Sequence, residues 1–138
     1  GAVAGVQLSR LDSFLVRCRQ LAATYSERLQ SLGWLIPPIE PKGYFHNYQS
    51  YMVRLKPDAP IGRDALMQLL LDRGVSTRRG VMAIHRETPY RNPRWDKELV
   101  HTQAVSDSSI ILPLYVSMTE SEQDYTIECI REAGLGQK

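Results

Sequence analysis

The residues best suited to chemistry lie in one run, Gly74-Val-Ser-Thr-Arg-Arg-Gly-Val-Met-Ala-Ile-His85, with Tyr90 directly after Pro89. Arg78 and Arg79 carry planar guanidinium groups that match the two oxygens of a phosphate or carboxylate. His85 and Tyr90 are hydrogen-bonding groups of the kind that meet sugar or phosphate oxygens. Each has a plainer reading. The arginines can cap a solvated strand end, His85 can be a core histidine in an apolar run, and Tyr90 can simply pack. Adjacent strand residues point to opposite faces, so at most one of the two arginines is expected to face a given pocket.

Other chemistries find less support. His46, His85 and His101 are not at ligand spacing, and neither cysteine has a nearby partner, so no metal site is expected. Cys18 and Cys129 fall among helical apolar positions, which reads as core packing and free thiols rather than a nucleophile or a disulfide. No glycine-rich phosphate loop is present. A net charge of +2 with no run of basic residues argues against a nucleic-acid partner. No apolar stretch approaches the roughly 18 residues of a membrane span, and the first residues lack the charged start of a signal peptide.

The elements that must position this loop follow from periodicity. The chain has 138 residues, 43% of them hydrophobic, enough for one domain with a core. Leu8, Leu11, Leu15, Cys18, Leu21, Ala22, Tyr25, Leu29 and Leu32 recur at helical spacing and predict a single helix of about seven turns, closed by Gly33. Pro37, Pro38, Pro41 and Gly43 mark an irregular connection. Residues 48–55 predict a strand with Tyr51, Val53 and Leu55 facing the core. A helix is expected from Arg63 to Arg73, ended by Gly74, then a short strand at 75–78.

Residues 79–95 read as loop, with Pro89 and Pro93 against a regular helix. A helix over 96–105, a break at Ser106–Ser109 and a strand over Ile110–Leu112 follow. Thr119 and Glu122 form a capping box for a last helix that carries Tyr125, Ile127 and Ile130 and ends at Gly134. The sum is an α+β fold: a small three-stranded sheet, mixed or antiparallel, with helices packed on one face.

These pieces resemble, in order, the C-terminal part of the sugar aminotransferases of the DegT/DnrJ/StrS type. The opening Ala2-Val-Ala-Gly-Val-Gln-Leu-Ser-Arg-Leu11 is similar to the family's Ala-Ala-x-Gly-x-x-Gln-Leu-x-x-Leu. Tyr48-Gln-Ser-Tyr-Met-Val-Arg54 is similar to its aromatic-x-x-Tyr-x-(Val/Ile)-Arg strand. Gly74-Val-x-Thr-Arg78, with His85, Pro89 and Tyr90 after it, resembles its Gly-Ile-x-Thr-Arg loop and the His, Pro and Tyr that follow. Ile110-Ile-Leu-Pro-Leu-Tyr115 with Met118-Thr119 resembles its closing Leu-Pro-Leu and (Leu/Met)-Thr-x-x-Glu. One departure is that many members carry His-Tyr where this chain has Gly80-Val81.

The resemblance implies the small C-terminal domain of an aspartate-aminotransferase-like enzyme of pyridoxal phosphate fold type I. Residues 1–33 are then a linking helix from a large N-terminal domain, and residues 34–138 the small domain. The family's lysine and aspartate that hold pyridoxal phosphate lie in that large domain. Lys42, Lys56, Lys97 and Lys138 stand in connections, on a surface helix or at the terminus, so no catalytic residue is expected here. The implied role is to close the active-site cleft of a cytoplasmic homodimer. His85, Arg78 or Arg79, and Tyr90 are implied to bind the nucleotide sugar, with an amino donor as second substrate. A stand-alone ligand-binding or regulatory module is the alternative, and an RNA-binding sheet a weaker one.

Overall fold

The computed structural model describes residues 1–136, which leaves Lys138 outside the described part. The chain runs α1 (Ala2–Leu8), α2 (Leu11–Leu29), β1 (Leu35–Ile36), β2 (Tyr51–Leu55), α3 (Arg63–Asp72), β3 (Arg78–Arg79), α4 (Pro93–Glu98), α5 (Val100–Ser108), β4 (Ser109–Leu112) and α6 (Glu120–Leu135). Short 3₁₀ turns at Ile84–Arg86 and Thr88–Tyr90 lie between β3 and α4.

The expected single helix is two. Ser9 Oγ donates to the Val6 carbonyl and Ser13 Oγ to the Arg10 carbonyl, at 2.8 and 2.7 Å. Such hydroxyls compete with the backbone ladder and bend it. Gly33 does not close α2; the helix ends at Leu29, and Gly33 has no left-handed backbone. Gly74 does fill that role after α3, at φ +78, with Val75 N–H donating to Leu70 O at 2.8 Å.

The sheet has four antiparallel strands rather than three, in the order β1-β2-β4-β3. The unexpected strand, β1, is two residues long between Trp34 and the prolines, too short to show alternation. β2 starts at Tyr51, three residues later than expected. Tyr48 is left-handed at φ +46, and its N–H donates to His46 Nδ1 at 2.9 Å, which keeps the preceding chain out of the sheet. The strand expected at 75–78 is shorter and shifted to Arg78–Arg79, paired with Ile111 and Ile110.

As expected, Tyr51, Val53 and Leu55 are buried while Met52 and Arg54 are only half so. They pack with Leu21, Tyr25 and Leu29 of α2, Leu66 and Leu70 of α3, Ile110 and Leu112 of β4, and Ile127 and Ile130 of α6. Tyr25 and Tyr51 stack with ring centroids 5.0 Å apart. Tyr25 also donates from its hydroxyl to Pro113 O at 2.9 Å, so its one polar atom is met inside the core. Thr119 and Glu122 form the capping box as expected: Thr119 Oγ1 accepts Glu122 N–H at 3.2 Å and Glu122 Oε2 accepts Thr119 N–H at 2.8 Å. α6 runs past Gly134 to Leu135, and Tyr125 on it is exposed, its hydroxyl on Arg73 O.

Between β3 and β4 the expectations change most. Pro93 opens a helix instead of forbidding one, because the first helical position needs no N–H donor, and Asn92 caps it from Arg94 N–H at 3.0 Å. The expected break at Ser106–Ser109 is absent: α5 continues to Ser108 and leads directly into β4. Cys18 is half-buried and Cys129 buried, and both are free thiols.

Candidate functional site

β3 is the edge strand of the sheet, and the chain leaves it at Gly80. Arg78 is registered with Ile111 and Arg79 with Ile110, so their side chains start on opposite faces. Both nevertheless border one cavity of about 480 Å³, together with Arg63, Arg86, Asp107 and the segment Gly80–Ala83. The expectation that at most one would face a pocket fails because a two-residue edge strand has no neighbour on its open side. Long guanidinium arms can reach round it from either face.

The cavity wall has a fixed part and a freer part. Arg86 forms a two-pronged ion pair with Asp107, one prong Nη2–Oδ2 at 2.9 Å, and also reaches Gln103. Arg63, at the start of α3, donates from Nε to Asp64 Oδ1 at 2.8 Å and from Nη1 to the Ser106 carbonyl. Its side chain is only 10% exposed. Arg79 makes a looser contact with the same Asp64 oxygen, at 3.8 Å. The Arg86 hydrogen bond holds the Asp107 carboxyl below its usual range, and the Arg63 hydrogen bond does the same for Asp64. Both acids therefore stay charged and keep the inner guanidiniums in place. Arg78 and Arg79 remain exposed at the rim, where an anion can meet them.

His85 and Tyr90 are not part of this wall. His85 sits in the first 3₁₀ turn at 5% exposure, and its Nε2 is buried without a hydrogen-bond partner. It is thus neither a satisfied core histidine nor an exposed ligand. A buried polar atom left unmet costs about 1–3 kcal/mol, a reason to expect a partner for it elsewhere. Tyr90, in the second turn, is exposed.

Sequence reasoning missed Arg63, Arg86 and Asp107. Arg63 and Asp107 come from two different helices, α3 and α5, far apart in the chain, and only the fold brings them together. Among the described residues, no group of three or more His, Cys, Asp or Glu is placed to hold a metal, and no helix is long and apolar enough to cross a membrane. Lys42, Lys56 and Lys97 are all on the surface. A lysine that bonds pyridoxal phosphate needs a desolvated, enclosing site, so the described lysines do not fit that group.

Comparison with known proteins places the chain. The model of the DegT/DnrJ/EryC1/StrS aminotransferase family matches residues 1–131. The dTDP-4-dehydro-2,3,6-trideoxy-D-glucose 4-aminotransferase of Saccharopolyspora spinosa is 31% identical over 122 residues, 88% of this chain and 30% of that protein. The aminotransferase TlmJ of Streptoalloteichus hindustanus superposes with a TM-score of 0.82 at 27% identity, covering 96% of this chain and 35% of TlmJ. DesV of S. venezuelae, solved with a ketimine intermediate, shares the fold with a TM-score of 0.84 at 24% identity, over 95% of this chain and 34% of its own. The chain thus spans about a third of the length of these relatives. Aminotransferases of this family use pyridoxal phosphate. From the α+β fold and the match over nearly all its length, this chain belongs to the DegT/DnrJ/EryC1/StrS aminotransferase family.

Proposed function

We propose that this chain is the small C-terminal domain of a pyridoxal-phosphate-dependent enzyme that transfers an amino group to a nucleotide-linked keto sugar. Residues 34–138 close one side of the active-site cleft, and residues 1–33 link them to a large domain that holds the cofactor. The observation that carries this reading is the family match over residues 1–131 combined with the arginine-rimmed cavity at β3. The exposed apolar side chains of Val3, Val6, Leu8, Leu11 and Val16 along the first two helices support the linking role.

In this reading Arg78 and Arg79 neutralise phosphate charge on the nucleotide sugar. His85, through its unmet Nε2, and Tyr90 add hydrogen bonds to sugar or phosphate oxygens when the cleft closes. The cofactor supplies the amino-transfer chemistry from the large domain. The functional unit is a homodimer in the cytoplasm.

The test uses the full-length protein with pyridoxal phosphate, an α-amino acid donor and a dTDP-linked 4-keto sugar. Formation of the amino sugar, with a raised KM for the nucleotide sugar in Arg78→Gln, is the expected result. Absence of both cofactor binding and turnover would overturn it in favour of a stand-alone ligand-binding or regulatory module.

A further inference from the structure

One buried residue fastens the loop to the sheet at the point where β3 ends. Ser109, at 0% exposure, accepts Gly80 N–H through its carbonyl at 3.2 Å and Val81 N–H through its hydroxyl at 3.0 Å. Gly80 lies flat against it. A Cβ at position 80 would stand 2.4 Å from Ser109 Oγ, 2.6 Å from Ser109 Cβ and 2.7 Å from Met52 Sδ. The methionine end can swing aside. The serine cannot, because it is a short side chain on a strand paired on both sides. Gly80 has no left-handed backbone, so its requirement is for space.

Directly beyond this contact, Val81, Met82 and Ala83 form one wall of the arginine-lined cavity. Arg78 and Arg79 stand directly before it. The exit of the chain at Gly80 therefore sets both the spacing of that wall and the position of the two rim arginines.

We propose that Gly80 and Ser109 are positioning residues for the nucleotide-sugar substrate. They act through the amides of residues 80 and 81, without touching the ligand, and they set the dimensions of the cavity that receives its anionic part. The proposal rests on the reading that this loop binds the nucleotide sugar. Any side chain at position 80 must separate loop and strand by roughly 1 Å to restore ordinary contact distances. A displacement of about 1 Å in a binding group costs on the order of 100-fold in catalysis.

The test is made in the full-length enzyme. Gly80→Ala is expected to raise the KM for the nucleotide sugar by about 10- to 100-fold. The KM for the amino donor and the absorbance of the bound cofactor stay as in the parent. Ser109→Gly placed in the same chain removes two of the three close atoms and is expected to reverse part of the rise in KM. Ser109→Ala keeps the packing and removes only the hydroxyl; a rise of about fivefold, the equivalent of one neutral hydrogen bond, is expected. A merely structural pair would behave differently: donor KM would rise while cofactor content and melting temperature fall, with no recovery in the double variant. That result, or unchanged nucleotide-sugar KM in all three variants, overturns the proposal. Arg78→Gln separates the two levels. If it raises KM while the Gly80 and Ser109 variants do not, only the positioning role fails; if none of them moves KM, substrate binding by this loop fails as well.

Discussion

The core side of the sheet and the segment from β3 to α5 are built from different material. On the core side, Tyr25, Tyr51, Leu66, Leu70, Ile110, Leu112, Ile127 and Ile130 are fully or almost fully enclosed. In the other region Met82, Ile84, Tyr90, Trp95 and Val100 are exposed, and the buried His85 lacks a partner for Nε2. The core residues pack on one another across α2, α3, the sheet and α6. The β3–α5 region instead holds a charged cavity with a fixed Arg86–Asp107 ion pair, beside apolar side chains that are exposed. That difference is what separates a scaffold from a surface made to meet a ligand or another domain.

The comparison is broken most severely from the core. Leu70→Ala, at a side chain with no exposure, is expected to lower stability by about 2–5 kcal/mol, read from the denaturation midpoint of the protein. Met82→Ala, at 85% exposure, should leave the midpoint within about 0.5 kcal/mol. Equal losses from the two would mean that the regions are not distinct.

His85→Ala sharpens the comparison from the other side. It is expected to cost about 1–3 kcal/mol, seen as a raised KM for the nucleotide sugar with unchanged cofactor absorbance. A fall in stability with KM unchanged would assign His85 to the core instead. Thr119→Ala removes one half of the capping box of α6 and should cost about 1 kcal/mol of stability with no effect on KM.

The smallest effect concerns Glu40, whose carboxylate accepts two hydrogen bonds from Arg19, at 2.8 and 2.9 Å, and one from His46 N–H. The Arg19 hydrogen bonds, followed by the His46 amide, hold its carboxyl down to about 2 against an ordinary value of 4.5. Because the folded value is the lower one, the contact stabilises fully above about pH 4.5 and is lost as pH falls toward 2. The 37–48 connection is expected to loosen over that window in amide exchange, and Glu40→Gln should remove the dependence.

Much of the core was legible because it follows one period per element. The alternation of Tyr51, Val53 and Leu55, the spacing of Leu21, Tyr25 and Leu29, and the Thr119–Glu122 pair each state their structure locally. The kink at Ser9–Arg10 lay in two serine hydroxyls that a hydrophobic count ignores. β1 was hidden because two residues carry no alternation, and Pro93 misled because its effect depends on where in a helix it falls. Of the site, the loop and its two rim arginines could be picked out by residue type. Arg63, Arg86 and Asp107 could not, since their association is purely tertiary, and neither could the fit of Gly80 on Ser109.

The most direct measurement is amide hydrogen exchange of the full-length protein with and without a nucleotide-linked keto sugar. The account predicts slower exchange across residues 78–92 on addition of the sugar, with β2 and β4 equally protected in both states. Unchanged exchange in that loop at a saturating concentration of the sugar would contradict it.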